Sequence, residues 1–212
     1  MVAGTPITCQ VVFIGYEFEL TGGATPLDLA NSVSDRKADI VDHLTGYRDL
    51  VDWAEQTRLV SPAAARRLRQ AGERSPARAQ AVLGRAIGLR ELLFRIFSAA
   101  PAGRPVDPAD LAALDRWVAR AHARRHLTPT KHGVGWAWRA DDLDSMLWPV
   151  ILAAADILTD DDERGRVRVC QGEDCAWLFL DRSRRRDRRW CDMSSCGNRA
   201  KAKRHYARTK VQ

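Results

Sequence analysis

Two close pairs of cysteines constrain this chain more than any other feature: Cys170-Gln-Gly-Glu-Asp-Cys175, fifteen intervening residues, then Cys191-Asp-Met-Ser-Ser-Cys196. Each short pair can bend round one side of a tetrahedral cation while the chain between them brings the second pair back. Four thiolates then fill the coordination sphere. No position is left for an activated water, so the Zn2+ this pattern implies, one per chain, is structural and not catalytic. Two disulfides or an iron–sulfur cluster are the other uses of four cysteines. The chain shows no export signal, however, and the usual cluster spacings differ from these. A module of about 45 residues buries too little apolar surface to fold alone, so the metal is expected to supply much of its folding free energy. Cys9, far away in an apolar stretch, reads as an ordinary buried thiol.

The charge is split as sharply as the cysteines are clustered. Residues 1–163 carry 19 Lys/Arg against 22 Asp/Glu, whereas residues 164–212 carry 15 against 5. The excess positive charge therefore belongs to the cysteine-bearing end, which suits a polyanion-binding module beside a larger regulatory or scaffold part. The acidic run Asp160 to Glu163 followed by Arg164-Gly165 marks the boundary, giving units 1–163 and 164–212. The apolar run Val11 to Ile14 is too short to span a bilayer and is followed by Glu17 and Glu19, so a cytoplasmic protein without a membrane partner is expected.

The fold class is mainly α. Ser61-Pro62, Ser75-Pro76 and Asp107-Pro108 each pair an N-cap residue with proline at the first helical position. The helix from about Pro76 to Ser98, with Ala79, Val82, Leu83, Ala86, Leu93, Phe94 and Phe97 on one face, reads as the central one. Further helices are expected over 27–33, after Thr45, along Leu111, Leu114, Val118 and Ala121, and from Met146 to Leu158, the last opened by Asp141 with Pro149 near its start. Residues 11–20 read as strand, and Val134, Trp136 and Trp138 as a small β-hairpin. In the tail, Trp177 to Leu180 lead out and Arg188 to Trp190 return, and a helix follows Gly197-Asn198. Turn, hairpin and helix describe a treble-clef-like finger.

The stretch Cys170 to Tyr206, with Trp177-Leu-Phe-Leu-Asp181, Arg188-Arg-Trp-Cys191 and Cys196-Gly-Asn-Arg199-Ala-Lys201, resembles the CGNR zinc finger. Residues 22–155 resemble the mostly helical ABATE domain, which precedes that finger in bacterial proteins described as stress-induced transcription regulators. The carrying residues are Leu27-Asp-Leu-Ala-Asn31, Asp49-Leu-Val-Asp-Trp53 and Leu89-Arg-Glu91, with Ser32 standing where the family often has Thr. The resemblance implies transcription regulation through DNA.

On the residues themselves, Arg182, Arg184, Arg185, Arg186, Arg188 and Arg189 cluster beyond the first cysteine pair, and Arg199, Lys201, Lys203, Arg204 and Arg208 follow on the last helix. Phosphate contact by these cations is the expectation. RNA and an acidic protein surface are the alternatives, the last making the chain an adaptor. Trp177, Phe179, Trp190 and Tyr206 suit the small core better than base stacking. Asp28, Asn31 and Arg90 either line a ligand pocket or cross-link helices, with cross-linking favoured, and Trp136, Trp138 and Trp148 are further pocket candidates. No effector is legible. His122 and His126, four apart, lack the glutamate of a metalloprotease motif, so exposed helical histidines and no enzyme are expected.

Overall fold

A computed structural model describes residues 16–34, 36–138 and 142–209. Helices dominate it. α1 (Thr25–Ala30) precedes a short antiparallel pair, β1 (Val33–Ser34) and β2 (Val41–Asp42), and then come α2 (Tyr47–Gln56), α3 (Pro62–Arg74) and the long α4 (Pro76–Ala99). α5 (Pro108–Ala123) leads into a ribbon of β3 (Arg125–Thr130) and β4 (Gly133–Trp138). α6 (Leu147–Thr159), the single turn α7 (Asp161–Arg164), β5 (Val167–Val169), β6 (Leu178–Leu180) and α8 (Asn198–Thr209) complete it.

The proline punctuation sets three helix starts. Ser61 accepts from the Ala64 amide and Asp107 from the Ala109 amide, but Ser75 makes no side-chain cap because it sits between two helices in a conformation (φ −139°, ψ 65°) that turns one into the next. α2 is opened by Asp49, whose carboxylate takes the amides of Thr45 and Gly46. Pro149 falls in the first turn of α6, where its missing N–H has no intrahelical partner to lose.

α4 buries Ala79, Val82, Leu83, Ala86, Leu93 and Phe97 as its spacing predicts, with Phe94 half-buried, and adds Leu89, Leu92 and Ile96. On α5, Leu114 and Ala121 are buried but Leu111 is exposed, because only the inner edge of that helix meets the core. Residues 16–20 form no strand, and Cys9, residues 11–15 and Asp141 lie outside the described residues. His126 is on β3 and not on the helix of His122.

The strand pairing of the tail differs from the expected return. β6 pairs antiparallel with β5, Val167 opposite Leu180 and Val169 opposite Leu178, so that the first cysteine pair occupies the connection between the two strands. Arg188 to Trp190 contribute a single backbone bond, Gln171 N–H to Arg189 C=O. The reason lies in the apolar residues: Val167, Leu178 and Leu180 join the main core, and the arginine-rich return could not.

α1 holds this hairpin in place. Asn31 donates to the Leu178 carbonyl and accepts from the Leu178 amide, each at 2.8 Å, across 147 residues of sequence. Asp28 accepts the Gly22 amide at 2.8 Å, and the Gly22 carbonyl in turn takes the Leu180 amide at 2.9 Å. Arg90 makes a forked ion pair to Asp42 (2.7 and 2.9 Å), and Arg36 pairs with Glu91 (2.9 Å), which fixes the β1–β2 segment on α4.

Two outcomes follow. Asn31→Ala leaves the buried Leu178 amide and carbonyl without partners and is expected to lower stability by about 3 kcal/mol, read as a shift in the urea midpoint. Burial pushes the Asp28 carboxyl from 3.8 up to about 6, offset only in part by the Gly22 amide. Between those values the folded chain keeps a proton that the unfolded chain has released, so stability falls as pH rises through the window. Asp28→Asn keeps the acceptor for Gly22. It is expected to flatten that slope and to stabilise the chain at neutral pH by on the order of 1–3 kcal/mol, in urea titrations at a series of pH values.

Candidate metal centre and nucleic-acid interface

The four cysteines converge as their spacing requires. Cys170 directly follows β5, Cys175 lies in the connection to β6, Cys191 closes the basic loop, and Cys196 lies in the wide turn Met193–Gly197 that runs into α8. All four are buried, and their sulfurs lie within 4.8 Å of one another. Cys191 Sγ stands 3.8 Å from Cys175 Sγ and 3.8 Å from Cys196 Sγ. A tetrahedron with metal–sulfur bonds of about 2.3 Å has edges of about 3.8 Å, so the donor set fits one zinc ion.

Backbone and side-chain donors already point at the sulfurs. The amides of Gly172 and Cys191 approach Cys170 Sγ at 3.4 and 3.3 Å, the Trp177 amide approaches Cys175 Sγ at 3.4 Å, and the Arg199 guanidinium lies 3.4 Å from Cys196 Sγ. Such donors stabilise thiolates. Without a cation the crowded thiols compete. Hydrogen bonds from Cys175 and Cys191 draw the Cys170 thiol far down, and the same contacts push Cys175 and Cys191 up. A divalent cation resolves the conflict by accepting all four as thiolates. Space at Gly172 is tight: a Cβ there would lie 3.0 Å from Cys175 Cβ and 3.1 Å from Cys196 Sγ, so a larger residue would press on the sulfur cluster.

Neighbouring side chains lock the module to the helical part. The buried Trp177 indole donates to the Val33 carbonyl at 2.5 Å. Lys37 has no motif to announce it, yet its ammonium reaches the Gly172 carbonyl (3.0 Å) and its amide the Asp174 carbonyl (3.1 Å). Asp181, fully buried, accepts Ser183 N–H and O–H and the Arg188 amide, which shapes the basic loop.

The eleven candidate cations are not equivalent. Arg188 is spent on structure: it donates to the carbonyls of Trp190 (2.8 Å) and Cys191 and stacks on Phe179. Arg182 pairs with Glu163 and Arg186 with Asp162, both at 2.8 Å, Arg185 faces Asp187 at 3.4 Å, and Lys203 meets Glu173 at 2.5 Å. Arg189 bonds Gln171 (2.6 Å) and, with Arg204, lies over the half-buried Trp190 ring. Arg184 and Lys201 are exposed and form no ion pair among the described residues, and Arg204 and Arg208 touch only carbonyls of their own helix and, for Arg204, Trp190.

α8 has no buried residue along its twelve positions. Its Tyr206 is exposed, not core, because the contacts of that helix with the rest of the module are made nearer its start, through Arg199, Lys203 and Arg204. A cavity of about 320 Å³ between the first cysteine loop and α8 is walled by Trp190, Arg199, Lys203 and Arg204.

Asp28, Asn31 and Arg90 are engaged in the cross-links described above. None of them lines the larger cavity of about 580 Å³ between α3 and the start of α6, where Leu68, Trp138, Leu143 and Pro149 do. Trp148 is buried in the core and Trp136 is exposed. Among the described residues no helix is long and apolar enough to cross a membrane.

Comparison with known proteins agrees with this anatomy. The model of the ABATE family, described as "Putative stress-induced transcription regulator", matches residues 23–161, and that of the CGNR zinc finger matches residues 166–209. No curated protein matches the chain.

Removing the metal is expected to reach beyond the tail. Purified chain should carry a single zinc by elemental analysis. Cys191→Ser should lose it and lower the unfolding midpoint of the whole chain, since β5 and β6 are part of the main core. A variant that retains full zinc would mean that the ligand set is different.

Proposed function

The chain belongs to the ABATE family of transcription regulators, and from that premise we propose that it binds duplex DNA through the zinc-organised basic end, with the helical part as scaffold and regulatory input and no catalytic role. One observation carries the reading. α8 leaves the metal centre as a helix without an apolar face, bearing Arg199, Lys201, Lys203, Arg204 and Arg208 and no acidic residue. A helix with no buried residue contributes little to the core, and what it presents here is positive charge at a spacing that suits phosphates.

The zinc module holds the start of α8, where Arg199 also donates to Cys196 Sγ. The acidic turn α7 sits against the neighbouring basic loop and neutralises Arg182 and Arg186 internally. Phosphates would compete with Asp162 and Glu163 for those two guanidiniums, whereas Arg184, Lys201 and Arg208 are available without such competition.

Binding is expected to weaken linearly on a log–log plot against salt, by about 0.9 per phosphate neutralised. Lys201→Ala with Arg208→Ala should flatten the slope by nearly 2 at unchanged zinc content, and Arg66→Ala with Arg67→Ala on α3 should leave it alone. Asp162→Asn with Glu163→Gln should tighten binding by releasing Arg182 and Arg186. Fluorescence anisotropy on labelled duplex across a salt series reads all three. A slope insensitive to the α8 pair would remove that helix from the interface and favour an adaptor that docks on acidic proteins.

A further inference from the structure

The balance of −3 over residues 1–163 conceals a stretch of opposite character. From Arg116 to Trp138 the sequence has five Arg/Lys, three His and no Asp or Glu. The structure gathers this stretch on the second half of α5 and the β3–β4 ribbon. Of the five cations only Arg124 forms an ion pair among the described residues, with Asp142. Arg120 lies over the Trp117 ring and Arg125 over the Trp136 ring at 4.2 Å, and Arg116 and Lys131 are exposed.

The ribbon itself is unusual in what it shows to solvent. It is a two-stranded sheet with no third strand, and the two-residue turn Lys131-His132 is closed by Gly133 at φ +127°. In its register Leu127 faces Trp136 and Pro129 faces Val134, which puts these four on one face. Leu127 is 62%, Val134 72% and Trp136 59% exposed. Trp138, at the base, packs against the main core and anchors the ribbon. A structural hairpin would turn such a face inward. This one directs it outward and rings it with cations.

We infer that the β3–β4 ribbon is a second nucleic-acid contact, one that enters a groove of the duplex bound by the zinc-organised end. The inference rests on the DNA reading above. A two-stranded ribbon fits the major groove, about 12 Å wide. Lys131 and Arg125 meet phosphates at the groove edges, and Val134, Leu127 and Trp136 offer apolar contact to base edges such as thymine methyls. Charge complementarity selects this occupant: the stretch from Arg116 to Trp138 has no acid of its own, Asp142 is already paired with Arg124, and a polyanion matches the cations that are left. The spacing is also suitable. α6 has its first turn beside Trp138, where Pro149 shares a cavity with it, and its last turn leads into α7 against the basic loop. Its thirteen residues span about 20 Å, so the base of the ribbon and the basic loop are separated by less than one turn of B-DNA, about 34 Å.

The test compares the full zinc-loaded chain with three variants on the same labelled duplex: Arg125→Ala with Lys131→Ala, Trp136→Ala, and the α8 pair Lys201→Ala with Arg208→Ala. The ribbon charge pair is expected to flatten the salt slope by nearly 2, as the α8 pair does. Trp136→Ala should weaken binding several-fold with the slope unchanged. Melting temperature and zinc content should stay at the parent values for all three. If both ribbon variants bind like the parent while the α8 pair is impaired, the ribbon contact is wrong and the finger reading stands. If the parent binds no duplex, or neither surface matters, both fall. If sedimentation shows that the ribbon variants only dissociate an oligomer, and binding per chain is unchanged, the ribbon is a self-association surface and the inference is overturned.

Discussion

β6 is a wall shared by two cores, and the arrangement of the molecule depends on it. Its alternation sends Leu178 and Leu180 into the helical core and Phe179 toward the cysteine cluster, all three almost free of solvent. Neither side can be rebuilt without the other. The edge of that strand is claimed by the segment around α1, the Asn31 side chain taking Leu178 and the Gly22 backbone carbonyl taking the Leu180 amide, so the polar groups of a buried strand are satisfied from the far end of the sequence. The helical part and the metal module therefore behave as neighbours with a common partition, not as beads on a string.

That partition explains the placing of charge. Acids and arginines meet where the two parts adjoin, at Asp162 with Arg186 and Glu163 with Arg182, and the exchange is exposed enough for water, salt or phosphate to compete. Away from the joint the cations are less often opposed: on α8 Lys203 meets Glu173 and beside the ribbon Arg124 meets Asp142, while Lys201, Arg208, Arg116 and Lys131 form no ion pair among the described residues. Counting arginines thus overstates the basic loop and understates the rest.

Local signals were legible in the sequence and distant ones were not. The cysteine quartet, the proline-opened helices at Pro62, Pro76 and Pro108, and the face of α4 all depend on spacing within a few residues, and they stand as read. The partner of β6 was misassigned to residues 188–190 because a strand's mate is chosen by what lies behind it, and the core behind Val167 is not written near it. Asp28, Asn31 and Arg90 stood out as polar groups beside apolar helices. Their partners at Gly22, Leu178 and Asp42 follow from tertiary contact alone. The ribbon went unrecognised as a basic surface for a different reason: summing charge over 163 residues averaged away a run of 23 without an acid.

α8 is twelve residues long, and a helix of that length is marginal in water when nothing packs against it. The costly step for any helix is fixing its first turn, and here the turn bearing Cys196 lies immediately before Asn198, so a metal held by the four cysteines would fix it. The helix would then propagate outward from that turn, with its far end the least secure. Like charges along it repel one another, and salt screens that repulsion. A metal held by the four cysteines would secure the beginning of this helix and leave its far end to the charges it carries.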